Sequence, residues 1–308
     1  EEKSITRDIN DKIRITRINR PAGSKNPFYI FALNYLLWKR HYDIIHVHVP
    51  NTIKFIFLKA ITNKICLTVH HISTSEDISY LHKYKHIFAI SNSVQEDLAK
   101  YLKRKVPIVL NGIDCTNIVS QKGITDHPVF RIVQIGRLVH TKKGQDILIE
   151  AVSILHQKGY KNISVDLIGD GESKSFLKNL VKSKQLEEQI HFLGSKEQSY
   201  IFSHLKEYDL FVQPSRKEGF GLTVTEAMAA KVPVLVSNQE GPMEIIENGK
   251  YGFYFKSDDA TNCAHEIEKI MNTPTHEIVS KAYQQVISRF NVKKTAQEYI
   301  EQYKKINS

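Results

Sequence analysis

The chain has 308 residues, of which 41% are hydrophobic and 25% charged, a balance that fits a globular fold of one large or two medium domains. Its formal net charge of +10 favours anionic partners, yet no zinc-finger or RNP-like run points to nucleic acid, and no apolar stretch is long enough to span a bilayer. Cys66, Cys115 and Cys263 are scattered and odd in number, so they offer neither a metal-ligand spacing nor a disulfide framework, and a reducing compartment is the default.

Residues 13–18 alternate basic and apolar side chains, as a half-exposed strand does. Residues 26–40 read as a helix with Phe28, Ile30, Phe31, Tyr35 and Leu36 on one face. A strand at 43–47, a helix at 53–61, strands at 65–69 and 87–91, a helix at 94–102 and a strand at 106–110 follow. Residues 121–128 are polar, with glycine and proline, and read as the domain linker. A second series then begins: strand 129–135, helix 143–157, strand 163–168, helix 173–181, strand 190–193, helix 198–205 and strand 210–213. Short strands alternating with helices predict parallel sheets of βα units. The expected fold is α/β, with two Rossmann-like doubly wound domains over 1–120 and 121–290. Residues 291–308 are expected to form a C-terminal helix packing back on the first domain. In such sheets ligands gather beyond the carboxyl ends of the strands.

Residues 218–241, EGFGLTVTEAMAAKVPVLVSNQEG, are the most informative stretch. A glycyl turn enters a short helix, with Glu218 before it and Glu226 within it. Carboxylates accept hydrogen bonds from hydroxyls, and the unpaired amides of a helix start attract phosphate. A nucleotide-sugar carries both groups. The competing local reading makes Thr223 and Glu226 a capping box, with Gly219 and Gly221 permitting a tight turn.

Ile135-Gly136-Arg137-Leu138 stands just beyond a strand, and Lys142-Lys143-Gly144 opens the next helix. Arg137 and one lysine would offer cations to a leaving diphosphate; a basic surface loop is the plain alternative. No paired aspartates of the kind a magnesium-dependent transferase needs are recognisable, and Asp258-Asp259 read as a solvated turn or a helix start. Residues 168–172, IGDGE, lack the spacing of a dinucleotide fingerprint and are expected to shape the cleft. His46, His48, His70 and His71 sit at strand ends; their spacing does not assemble a metal site. His70 is placed either to reach a substrate hydroxyl or to fix a loop.

Together these segments resemble retaining GT-B-fold glycosyltransferases of family GT4. Residues 218–237 look like that family's donor-site signature. The segment from Ile135 to Leu138 with Lys143-Gly144 looks like its diphosphate loop, and Asn111-Gly112-Ile113-Asp114 like its inter-domain element. Residues 43–48, 68–70 and 91–93 resemble its first-domain strand ends. The resemblance implies a retaining hexosyltransferase that moves a sugar from a UDP- or GDP-sugar to a glycan or lipid-linked acceptor, in bacterial surface polysaccharide synthesis, with no metal. It assigns Glu218 and His70 to the sugar and Glu226 to the ribose. Arg137, Lys143, Gly219 and the amides near Leu222 and Thr223 are assigned to the diphosphate side of the donor.

Three departures qualify it. Lys231 stands where the family usually has glycine, 238–241 is less glycine-rich than the usual donor loop, and the family's first strand and glycine-rich loop are not recognisable. The first domain is therefore expected to be incomplete, and the alternative function is an inactive remnant acting as a binding protein. Arg7, Lys12, Arg14, Arg17, Arg20, Lys25 and Trp38-Lys39-Arg40 make the first third basic. They read as a solvated face or as peripheral contact with an anionic membrane. The expected location is cytoplasmic, at the inner face of the membrane.

Overall fold

The sheets form where apolar runs are too short for helices and are bounded by turn residues. The computed structural model describes residues 6–9, 11–16, 18, 28–71, 75–120 and 128–308. The chain folds into two compact units, one of Glu1–Ala89, Asp97–Pro107 and Glu301–Ser308, the other of Ile90–Glu96 and Ile108–Ile300. Of the predicted linker, residues 121–127 lie outside the described residues, as do Arg17, Arg20 and Lys25.

In the first unit β1 (Thr6–Asp8) pairs antiparallel with β2 (Arg14–Thr16). The strand predicted at 13–18 thus belongs to an antiparallel two-stranded ribbon, with Arg14–Thr16 exposed, and not to the parallel sheet. Helix α1 (Phe28–Arg40) leads to β3 (Ile45–Val47), β4 (Ile65–Val69), α2 (Ser75–Leu81) and β5 (His86–Ala89). The parallel sheet has the order β3-β4-β5. Its central strand β4 is buried at every residue, as an unbroken apolar run in a parallel sheet should be. Helix α3 (Asn92–Leu102) begins in the second unit and ends in the first.

Two predicted elements of this unit do not form. The helix expected at 53–61 is replaced by the 3-10 turns Pro50–Phe55 and Lys59–Lys64. The buried Asn34 side chain donates to Phe55 O at 2.8 Å and accepts from Phe57 N at 3.1 Å. It takes the backbone groups that a continuing helix would have paired. No strand forms at 106–110, where Pro107 lacks the N–H a ladder needs; its carbonyl accepts from Ala89 N at 3.0 Å.

The second unit carries β6 (Phe130–Ile135), α4 (His140–Lys143), α5 (Gln145–Gln157), β7 (Ile163–Ile168), α6 (Lys174–Ser183), β8 (Ile190–Gly194), α7 (Gln198–His204) and β9 (Leu210–Gln213). After these come α8 (Leu222–Ala229), β10 (Val234–Ser237), α9 (Glu240–Ile245), β11 (Phe253–Phe255), α10 (Ala260–Met271) and α11 (His276–Arg289), and then α12 (Val292–Asn307), which begins in this unit and ends in the first. Its six-stranded sheet is parallel, in the order β11-β10-β9-β6-β7-β8. The strand order reverses between β6 and β9, which marks their carboxyl ends as the place for a ligand. Ile132, Leu148, Val165, Leu210, Leu235 and Ile267 fill the core between sheet and helices. The helix predicted at 143–157 is broken at Gly144, whose φ is +65°. A Cβ there would lie 1.9 Å from Pro214 O, so this crossing of two loops requires glycine. Both units are Rossmann-like α/β folds with parallel sheets, as the alternation predicts.

Candidate functional site

Strand β9 ends at Gln213, and the chain passes Glu218 and the Gly219–Gly221 turn before entering α8. Gly221 is the residue preceding the helix, with φ +116°, and no side chain caps that end. Val224 N and Thr225 N both turn back to Gly221 O. The amides of Leu222 and Thr223 precede the first intrahelical bonds and carry the positive end of the helix. The capping box read from Thr223 and Glu226 is not made: Thr223 lies inside the helix, and its hydroxyl donates to Gln213 Oε1 at 2.9 Å.

Glu218 is the meeting point of the site. Its Oε2 accepts from Lys143 Nζ at 2.5 Å and from Gln213 Nε2 at 2.7 Å. The Gly219 carbonyl accepts from Ser91 Oγ at 3.0 Å. Gly241 lies against the same loop, where a Cβ would come within 2.5 Å of Glu218 O and 2.7 Å of Phe220 N. Asn92 donates through N and Nδ2 to the two oxygens of Glu244, at 2.8 and 2.7 Å; burial raises the Glu244 pKa above the usual carboxylate range.

Arg216 braces the α4–α5 junction at which Lys143 stands. The guanidinium forms a bidentate pair with Asp146, both bonds at 2.8 Å, and also reaches Asp258 and the His140 carbonyl. Such a fork fixes loop geometry in a way a lysine could not. Asp258 is thus an ion-pair partner, while Asp259 caps α10 by accepting from Asn262 N at 2.8 Å. Arg137 is exposed just beyond β6. Its carbonyl accepts from the buried Gln145 side chain at 2.9 Å. The 168–172 turn packs on the same loop: a Cβ at Gly169 would lie 2.0 Å from Gly136 O, and one at Gly171 2.6 Å from Leu138 O.

Glu226 is 7% exposed. Burial raises its pKa to about 7, against a weak opposing contact from Gln198 Nε2 at 3.5 Å. A carboxylate kept this dry, and this poorly supplied with donors, is ready to accept hydroxyls.

In the first unit His46 is fixed at both nitrogens, by Tyr303 Oη at 2.5 Å and Thr68 Oγ1 at 2.7 Å. Its ring stacks on His48 at 4.5 Å, and His48 Nδ1 meets His70 Nε2 at 3.0 Å. Burial lowers the pKa of all three, that of His46 to about 4. The nitrogen-to-nitrogen hydrogen bond needs one unprotonated acceptor nitrogen, so His48 and His70 are not both imidazolium in this arrangement. Among the described residues no group of three His, Cys, Asp or Glu side chains could hold a metal ion.

Of the residues singled out in the sequence, Lys143, Glu218 and Thr223 are joined through Gln213. Glu226 lies one turn further along α8, and Arg137 stands at the end of β6 and joins none of these bonds. Sequence reading missed Gln213, Arg216, Gln145 and Gln198. Gln213 carried a readable signal, a polar residue closing an otherwise apolar strand.

Over residues 117–290 the chain matches the family of glycosyl transferases group 1, and over residues 1–117 it matches Glycosyltransferase Family 4. It is 34% identical over 149 residues, 46% of this chain and 40% of the relative, to the O-antigen biosynthesis glycosyltransferase WclY of Escherichia coli. It is 25% identical over 288 residues, 85% of this chain and 74% of the relative, to the N-acetyl-alpha-D-glucosaminyl L-malate synthase of Bacillus anthracis. The crystal structure of Anabaena Alr3699/HepE in complex with UDP-glucose superposes with a TM-score of 0.79 at 22% identity, covering 93% of this chain and 84% of that one. At that identity the likeness is one of fold. The match spans less than half the length of several curated relatives. With the family profile covering more than half of its length, the chain belongs to the glycosyl transferases group 1, GT4-type transferases of GT-B fold.

Proposed function

We propose that this chain binds a UDP- or GDP-sugar and transfers its hexose, with retention, to a glycan or lipid-linked acceptor in bacterial surface polysaccharide synthesis. The observation that carries the reading is Glu218 with Lys143 and Gln213 on one oxygen, beside the free amides that open α8. Glu218 meets the sugar hydroxyls and Glu226 the ribose. Lys143, Arg137, Gly219 and the amides of Leu222 and Thr223 take the diphosphate, whose charge grows as the sugar departs. His70 enters through the family resemblance, as an imidazole offered to the sugar. The acceptor hydroxyl attacks the anomeric carbon on the face the phosphate leaves, and a phosphate oxygen takes its proton. The biosynthetic setting is supported by relatives named for O-antigen, amylovoran and colanic acid synthesis.

Isothermal titration with UDP, GDP and their hexose conjugates tests the reading, together with transfer assays. Saturable binding to one nucleotide series is expected; binding to none overturns it. Binding without transfer to any glycan or lipid acceptor would favour the binding-protein alternative.

We also propose a cytoplasmic location with peripheral contact to an anionic membrane. Among the described residues no helix is long and apolar enough to cross a membrane. Phe28, Phe31, Tyr35 and Trp38 lie exposed along α1, which ends in Lys39 and Arg40. Aromatic and basic groups side by side suit a charged lipid interface. Flotation with anionic but not neutral liposomes is expected; equal recovery with both removes the membrane contact.

A further inference from the structure

The Gln213 side chain closes β9 and is 2% exposed. A buried primary amide has to place two protons and an oxygen. Here Nε2 donates to Glu218 Oε2 at 2.7 Å and to Ser215 Oγ at 3.3 Å, and Oε1 accepts from Thr223 Oγ1 at 2.9 Å. Chemistry fixes the direction of this chain. A carboxylate only accepts, so the amide nitrogen must face Glu218. The amide oxygen then faces Thr223, and that hydroxyl must donate.

We propose that Gln213 is a positioning residue, which with the Thr223 hydroxyl holds the Glu218 carboxylate in the orientation that meets the donor sugar. The proposal rests on the reading of Glu218 as the sugar-binding carboxylate. Glu218 and Thr223 stand at opposite ends of the Gly219–Gly221 turn, a segment with two glycines and correspondingly broad backbone freedom. The relay ties those ends together from the rigid end of a buried strand. The platform beneath it is itself fixed, because Ser237 Oγ donates to Ser215 O at 2.5 Å. Lys143 bonds the same Oε2, so Oε1 of Glu218 is the oxygen presented to a ligand hydroxyl. Lys143 alone would not set that orientation: its ammonium is a mobile point charge on a flexible stem, whereas the amide is planar and held by three hydrogen bonds.

Gln213→Met keeps the volume and removes the relay. Gln213→Glu keeps the acceptor for Thr223 but sets an acceptor against Glu218. Both variants should keep the affinity for the nucleoside diphosphate alone, which other groups bind. Both should lose the extra affinity that the sugar contributes, and kcat should fall by about tenfold to a hundredfold, the scale of a misplaced reacting group. Unchanged kcat and sugar increment would overturn the proposal. So would loss of nucleoside diphosphate affinity in step with a lower melting temperature, because that is what a purely structural amide would give. A crystal structure of Gln213→Met supplies a readout independent of turnover: the Glu218 carboxylate should leave its wild-type position. A carboxylate that stays in place overturns the relay. If the wild-type protein binds no nucleotide-sugar, the functional reading fails by itself, and that crystal structure still decides the relay.

Discussion

The Lys143 ammonium and the Glu218 carboxylate form an ion pair at 2.5 Å, with side chains 25% and 16% exposed. The family resemblance assigns them to different parts of a ligand, the lysine to phosphate and the glutamate to sugar. Their pairing places both assignments at one point beside the opening of α8. In that reading the ammonium faces the diphosphate and the carboxylate faces the hydroxyls.

Lys143→Met should therefore weaken more than phosphate binding. It removes one of the cations offered to the leaving group, at a cost of about a hundredfold in kcat. It also leaves Glu218 with Gln213 as the other donor on Oε2. The stability cost should be small, about 1 kcal/mol, because the pair is partly exposed. Steady-state kinetics with thermal melts check this. A large loss of melting temperature with kcat unchanged would make the pair structural.

Glu226 predicts a pH dependence. Its folded-state pKa is raised from 4.5 to about 7 by burial. Between those values the native protein holds a proton that the unfolded chain has released, so stability falls as pH rises through that window. The full swing is on the order of 3 kcal/mol. Glu226→Gln is neutral throughout and should lack it, so the variant gains on wild type between pH 4.5 and 7.5. Donor affinity should run the other way in the wild type and rise with pH, because the carboxylate is the form that accepts both ribose hydroxyls. Urea melts and titrations at three pH values test both. Parallel pH profiles for the two proteins would show that Glu226 does not titrate in this range.

The alternation of apolar runs made both parallel sheets legible, because strand and helix periods differ at every turn of the chain. Asn34 explains the helix at 53–61 that does not form: no local pattern shows that a side chain 21 residues away will take its backbone groups. The carboxylates and cations of the site were legible as residue types at strand ends. Their supports, Gln213, Arg216 and Gln145, were not, since each acts through a loop crossing set by tertiary packing. The capping-box reading failed for the same reason: Gln213 reached the Thr223 hydroxyl, and Gly221 took the helix end.

Gly241→Ala should disturb the site from outside it. The new methyl would lie 2.5 Å from Glu218 O, 2.7 Å from Phe220 N and 2.8 Å from Gly219 C, all backbone atoms. Backbone does not yield as a side-chain tip does, so the Glu218–Phe220 loop must move. Overpacking of this kind costs about 1–3 kcal/mol. The expected result is a folded protein with lowered melting temperature and transfer reduced at least as much as in the Gln213 variants. Full activity would mean that 238–241 gives way instead.

Lys231 accounts for the family's usual glycine at its position. It follows α8 with φ +59°. Lys231 N bonds Met228 O at 3.1 Å and Val232 N bonds Ala227 O at 3.0 Å, the paired bonds of a helix end that calls for a left-handed residue. A lysine there carries about 1–2 kcal/mol of backbone strain. Its ammonium lies 4.8 Å from the centre of the Tyr283 ring, a contact worth about 0.5–1 kcal/mol. Lys231→Gly relieves the first and loses the second, so a small net gain in unfolding free energy is expected. In a Tyr283→Leu background the ring contact is already gone, and the same substitution should gain about 1 kcal/mol. Denaturant unfolding of the four proteins checks this. A gain no larger in the Tyr283→Leu background would show that the ring contact does not offset the strain.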